Sequence, residues 1–146
     1  MENKKIDAIL IDLDLTIADN SHRAPYDFSN KILNDPPIPI MIDVVKSILE
    51  RTGAYPLFLT GRNESGRQWT EQWLQEYFDF PYTLFMKPIS YGPGRTAKFK
   101  KKLYDTEIRD FYNVLLLLDD DERNIKIFKN ELICLQVHYK KRKVDE

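Results

Sequence analysis

Ile6-Asp7-Ala8-Ile9-Leu10-Ile11-Asp12-Leu13-Asp14-Leu15-Thr16 is apolar for most of its length and then turns acidic at alternate positions. The run from Ile6 to Leu13 reads as a buried strand. Similar runs recur at long intervals: Tyr55 to Thr60, Tyr82 to Met86, Val114 to Leu118, and Leu132 to Val137. Between them apolar residues take helical spacing, with Ile42, Val45, Ile48 and Leu49 after Pro39, and Trp69, Trp73, Leu74, Tyr77 and Phe78 after Glu64. Two more helices are expected around Thr96–Phe111, where Phe99 and Leu103 stand four apart, and around Glu122–Asn130.

Strand alternating with helix implies a mainly parallel sheet covered on both faces. The fold class is therefore α/β: a Rossmann-like three-layer domain with about five strands and a minimal cap or none. Loops at the carboxyl ends of the strands should carry the site. The chain has 146 residues, 42% hydrophobic and 31% charged, which suits one packed domain over 1–146, with Lys140 onward as a basic tail. Ala18–Pro39 lacks either period and holds Pro25, Pro36, Pro37 and Pro39, so it reads as a long irregular excursion of functional type.

Composition excludes several chemistries. Cys134 is the lone cysteine and His22 and His138 the only histidines, so any metal should be held by oxygen. No apolar run of about 18 residues is present and no signal-type segment opens the chain, so a soluble, cytoplasmic protein without membrane contact is expected. The net charge of −1 gives little whole-molecule attraction to nucleic acid, but charge is unevenly spread. Lys87, Arg95, Lys98, Lys100, Lys101 and Lys102 fall in one stretch without an acid, whereas Asp119, Asp120, Asp121 and Glu122 are consecutive. The basic stretch reads as either a solvated face or a patch for a phosphate-rich ligand.

Two strands end in paired acids: Asp12 and Asp14 after the first, Asp119 and Asp120 after the fourth. One aspartate at a strand end is commonly a cap or turn residue. Converging carboxylates repel unless a cation neutralises them, and a hard divalent ion, Mg2+, suits oxygen ligands. An aspartate can attack phosphorus, and a second carboxyl can protonate the leaving oxygen and then deprotonate water. Phosphoryl transfer also needs donors and positive charge around the equatorial oxygens, which Thr60-Gly61-Arg62 offers at the end of the second strand.

Asp12-Leu13-Asp14-Leu15-Thr16, Thr60, a lysine within Thr96–Lys102, and Asp119-Asp120 follow the order of the four motifs of the haloacid dehalogenase-like phosphatases, and the chain resembles that superfamily. More closely, it resembles the 3′-phosphatase domain of phage-type polynucleotide kinase/phosphatases, through Arg23-Ala24-Pro25-Tyr26-Asp27, Thr60-Gly61-Arg62 with Gly66, and Asp119-Asp120 followed by Asn124. The resemblance implies Asp12 as nucleophile, Asp14 as general acid and base, and Thr60 as holder of the phosphoryl group. Arg23, Gly61 and Arg62 would bind the substrate, and Asp12, Asp14, Asp119 and Asp120 would hold Mg2+. Lys100 is preferred as the phosphate-facing amine, with Lys98 beside it as a substrate contact and Lys101 and Lys102 as alternatives. Two positions depart from the pattern: Leu15 stands where glycine is frequent, and Ala97 or Lys98 stands near a position that is often acidic.

The expected substrate is a phosphorylated nucleic-acid end or nucleotide, handled by a stand-alone phosphatase with no obligate protein partner. Alternatives are a small-molecule or 5′-nucleotide phosphatase of the same superfamily and a noncatalytic phosphate or nucleic-acid binding module. Gly61-Arg-Asn-Glu-Ser-Gly66 has the glycine spacing of a P-loop, but Arg67 and Gln68 replace the lysine and hydroxyl that an NTPase needs. Trp69 and Trp73 read as core residues rather than a stacking platform.

Overall fold

The computed structural model describes residues 4–140. The elements run β1 (Ile6–Ile11), α1 (Pro39–Thr52), β2 (Tyr55–Asn63), α2 (Arg67–Tyr77), β3 (Thr83–Lys87), α3 (Thr96–Leu103), β4 (Tyr112–Asp119), α4 (Glu122–Phe128) and β5 (Cys134–Gln136). They build one α/β domain around a five-stranded sheet in the order β3-β2-β1-β4-β5, with every neighbouring pair parallel. The terminal basic stretch from Lys141 lies outside the described residues.

Strand alternation splits the core in two. Ile9, Ile11 and Leu13 pack with Ile42, Val45 and Leu49 of α1 and Trp73 and Leu74 of α2. Ala8 and Leu10 point to the opposite face and pack with Phe99 of α3 and Phe128 of α4. The chain builds the sheet outward from β1 through β2 to β3, then returns to lay β4 on the other side of β1. That reversal opens a crevice beyond the carboxyl ends of β1 and β4. Ile11 pairs with Leu118, and the Asp12 amide donates to the Leu118 carbonyl at 2.9 Å, so the two acidic strand tips lie side by side.

Some boundaries move for physical reasons. β2 continues beyond Thr60 because, after a register shift, Asn63 pairs with Lys87 of β3. The helix expected over Thr96–Phe111 stops at Leu103 and passes into a π-helical turn, Tyr104–Ile108, which buries Tyr104 and Ile108. The irregular excursion is tied down: Asp19 N–H donates to Pro36 O and Ile38 N–H to Ile17 O, both at 2.8 Å. It holds a short 3₁₀ turn, Asn30–Asn34. Trp73 is 1% exposed and belongs to the core, as its spacing predicts. Among the described residues, no helix is long and apolar enough to cross a membrane.

Phe58 is fully buried between Phe78 and Tyr82, with ring centroids at 5.4 and 5.6 Å. Phe58→Ala should cost about 3–5 kcal/mol by chemical denaturation. A loss under about 1 kcal/mol would mean that this aromatic cluster does not anchor β2.

Candidate active site

β1 and β4 deliver Asp12, Asp119 and Asp120 to one point, with carboxylate oxygens all within 4.8 Å of one another. Lys100 reaches this cluster from α3, on the face opposite Lys98, and its Nζ donates to Asp12 Oδ1 and Asp119 Oδ2, each at 2.8 Å. The second Asp12 oxygen accepts from Thr16 Oγ1 at 2.9 Å. Asp119 is braced by Asn124 Nδ2 at 3.0 Å and by the Asp121 amide at 2.9 Å. Asp12 is only 6% exposed yet lines a cleft of about 590 Å³, together with Lys100 and Asp120.

One ammonium cannot neutralise three carboxylates. Burial and the repulsion of Asp119 push the Asp12 carboxyl well above its ordinary range, against the pull of Lys100. Burial likewise raises Asp120, opposed by its hydrogen bond with Asp12. For Lys100, burial favours the neutral amine, but Asp12 and Asp119 outweigh it and raise the pKa, so the ammonium persists. The surplus of negative charge on oxygen donors fits a hard divalent cation.

Asp14 turns away from this cluster. Its carboxylate is forked by Arg62, with Nη2 at 2.6 Å and Nε at 3.1 and 3.2 Å, and Arg23 Nη2 lies 3.7 Å away. Two guanidinium groups hold its side chain, which lies apart from the cluster that Asp12, Asp119 and Asp120 form among the described residues. Behind Asp14, the fully buried Asp35 carboxylate accepts from Arg62 Nη2 at 2.9 Å and from Arg23 Nε and Nη2 at 2.7 and 2.8 Å. His22 Nε2 lies 2.7 Å from the same carboxylate. Asp14, Asp35, Arg23 and Arg62 thus form a charge-balanced tetrad at the cleft floor, with Asp35 beneath it. Asp35 carries no motif; within Asn34-Asp35-Pro36-Pro37 it reads as an ordinary turn residue, and only the fold reveals it.

Other expected residues take different places. Thr60 is fully buried, does not line the cleft, and accepts the Arg62 amide on Oγ1 at 3.1 Å. That bond shapes the turn that leads into Gly61 and Arg62. Gly61 does line the cleft, and a Cβ there would meet Thr96 Cγ2 at 2.6 Å, so only glycine lets β2 and α3 approach. Arg23 and Arg62 both reach the cleft, although each is bound to Asp35. Lys98 is exposed and is absent from the cleft wall, because the helical turn that aims Lys100 inward aims Lys98 outward.

The basic stretch does not act as one strip. Lys101 bonds Asp105 at 2.8 Å and Glu131 at 2.5 Å. Lys87 is buried and ties Gly94 O at 2.6 Å and Thr96 Oγ1 at 3.3 Å. Leu15 takes φ +60°, a left-handed conformation that costs a non-glycine residue about 1–2 kcal/mol, so the tight turn after Asp14 survives without glycine.

A parallel sheet in this order, with carboxylates at the tips of β1 and β4 and a lysine entering from the intervening helix, defines the haloacid dehalogenase-like phosphatases, a class of phosphoric monoester hydrolases. Within that class the chain belongs to the polynucleotide kinase PNKP phosphatase domain family, whose model matches residues 6–141. It is 37% identical over 114 residues to a putative bifunctional polynucleotide kinase/RNA ligase of Autographa californica nuclear polyhedrosis virus, covering 77% of this chain and 16% of that protein. A chain in the structure of a Pnkp1/Rnl/Hen1 complex superposes with TM-score 0.82 at 29% identity, over 94% of this chain and 48% of that one. The class C acid phosphatase of Bacillus anthracis shares the fold, with TM-score 0.63 at 16% identity, over 92% of this chain and 68% of that one. The chain therefore spans less than half of the two proteins it matches at higher identity.

Removing one charge from the tetrad leaves buried guanidinium groups undercompensated. Asp35→Asn should lower stability by about 3 kcal/mol in denaturant titrations. A change within about 0.5 kcal/mol would show that Asp35 does not hold Arg23 and Arg62 in place.

Proposed function

We propose that the chain is a Mg2+-dependent phosphatase that removes 3′-phosphate from nucleic-acid ends through an aspartyl-phosphate intermediate. The observation that carries the proposal is Asp12 itself: a carboxylate at a strand tip, open to the cleft, fixed by Thr16 and Lys100. Family membership supports the choice of nucleic-acid ends.

Asp12, Asp119 and Asp120 would hold the ion; when bound, it offsets their mutual repulsion and supplies positive charge to the phosphoryl oxygens. Arg62, Arg23 and the Gly61 amide bind the phosphate, and Lys100 keeps Asp12 aligned. An Asp12 oxygen attacks phosphorus as the bond to the 3′-oxygen breaks, and the leaving oxygen takes a proton from Asp14. In the second step Asp14 takes a proton from water, the water oxygen bonds phosphorus, and the bond to Asp12 breaks to release inorganic phosphate. Incoming phosphate competes with Asp14 for the Arg62 fork, so substrate entry frees the Asp14 carboxyl for proton transfer. Thr60 contributes through the turn that presents Gly61 and Arg62.

The similar proteins are described as a bifunctional kinase/ligase and as part of a complex. Relatives of this kind support action of the domain beside a partner protein or domain. The reading as a noncatalytic binding module would require loss of the nucleophile or a metal carboxylate, and Asp12, Asp119 and Asp120 are all present.

Phosphate release from matched 3′- and 5′-phosphorylated oligonucleotides and 3′- and 5′-mononucleotides, with and without Mg2+, tests the proposal directly. Release should require the ion and favour the 3′-phosphates. Equal rates on all four would overturn the end-specific reading, and Asp12→Asn should abolish turnover while leaving the fold intact. Independently of activity, saturating Mg2+ should raise Tm by on the order of 5 °C, and Asp119→Asn should remove that rise. A Tm indifferent to Mg2+ would contradict the assigned ion site.

A further inference from the structure

Beside the cleft lies a second recess of about 270 Å³. The two share Tyr26, Thr96, Asp121, Arg123 and Asn124 as a common wall, so they form one continuous surface. Arg95, Lys98 and Arg123 bring three cations to the recess against the single carboxylate of Asp121. Asp121 steadies Arg123, accepting from Nη2 at 2.7 Å and from Nε at 3.1 Å, while the Arg123 side chain remains 83% exposed.

Tyr26 is the unusual feature of this wall. Ala24-Pro25-Tyr26-Asp27 forms a four-residue turn, closed by the Asp27 amide on the Ala24 carbonyl at 3.1 Å. Arg23 Nη1 anchors the turn by donating to Asp27 O at 2.6 Å. Tyr26 occupies the third position with φ +66°, the pattern of a type II turn, where glycine is favoured. A bulky side chain there costs about 1–2 kcal/mol, and the ring it presents is left 65% exposed at the cleft mouth. Arg95, across the recess, is also left-handed, with φ +53°. Two of the three non-glycine residues with positive φ among the described residues therefore line this one recess, and strain of this kind collects at ligand-binding sites.

We infer that the recess receives the penultimate nucleotide of a single-stranded polynucleotide 3′ end, with its base stacked on Tyr26 and its phosphate among Arg95, Lys98 and Arg123. An exposed aromatic face beside a cationic track is the means by which proteins bind single strands without reading sequence. The inference rests on the 3′-phosphatase reading of the adjoining cleft and adds a length requirement: two or more nucleotides should be preferred over one. It also gives Lys98 a place, one step removed from the phosphate being cleaved.

The test compares kcat/KM on a 3′-phosphorylated oligonucleotide and on the matching 3′-mononucleotide for the native protein, Tyr26→Ala, Tyr26→Phe and Arg95→Asn. The native protein should favour the oligonucleotide by 10-fold or more. Tyr26→Ala should lower the oligonucleotide value by about 10-fold, within the range set by loss of one stacked base, and leave the mononucleotide value within about twofold. Tyr26→Phe should behave as native, and Arg95→Asn should act on the oligonucleotide alone. Equal native rates on the two substrates, or a parallel fall on both in Tyr26→Ala, would overturn the inference while leaving the 3′-phosphatase reading intact. Should the protein release phosphate from neither, binding of a fluorescent 3′-hydroxyl oligonucleotide decides separately: a Kd weakened in Tyr26→Ala sustains the recess, and an unchanged Kd rejects it.

Discussion

The Lys100 ammonium, held between Asp12 and Asp119 at 2.8 Å from each, is the contact on which the site depends. A buried cation is costly unless paired, and buried carboxylates are costlier still when they crowd one another. Lys100 offsets part of that cost and leaves negative charge over. The leftover charge is what makes the strand tips a place for a divalent ion, and the bond to Oδ1 is what aims Asp12. Because Lys100 comes from α3, the same contact fixes that helix against the β1–β4 tips, and Gly61 permits the close approach by leaving room for Thr96.

A second electrostatic unit sits behind the first. Asp35 gathers Arg23, Arg62 and His22, and its carbonyl accepts from Trp73 Nε1 at 2.8 Å. The irregular 19–38 segment, whose regular structure is one short 3₁₀ turn, is thereby bound to the tip of β2 and to α2. Arg23 passes the constraint onward through Asp27 to the turn that presents Tyr26. Rigidity in the walls of the cleft thus comes from charge pairing as well as from the apolar core. An entering phosphate would be received by guanidinium groups already oriented, which limits the entropy lost on binding.

Much of this is legible in the amino-acid sequence. Strands covered on both faces of a parallel sheet carry apolar runs, so Ala8–Ile11 and Val114–Leu118, inside β1 and β4, stand out in the sequence. Asp12, Asp119 and Asp120 are legible because two strands both end in acids, which solubility alone does not require, and the three carboxylates do converge. What could not be read depends on partners distant in the chain. Asp14 and Asp12 differ by two positions, yet one faces the cluster and the other is captured by Arg62, 48 residues away. Asp35 carries no pattern at all, and Thr60 offers a hydroxyl whose orientation only the turn decides. The uniform basic stretch likewise dissolves once helix phase separates Lys100 from Lys98 and surface acids claim Lys101.

In the proposed mechanism Asp12, and no other carboxylate, bonds phosphorus. Acid quenching during turnover with Mg2+, followed by borohydride reduction, converts an aspartyl phosphate to homoserine, which mass spectrometry then locates in the chain. Homoserine should appear at position 12 alone, rising and falling with substrate. Homoserine at position 14, 119 or 120, or none at all during measured phosphate release, would contradict it.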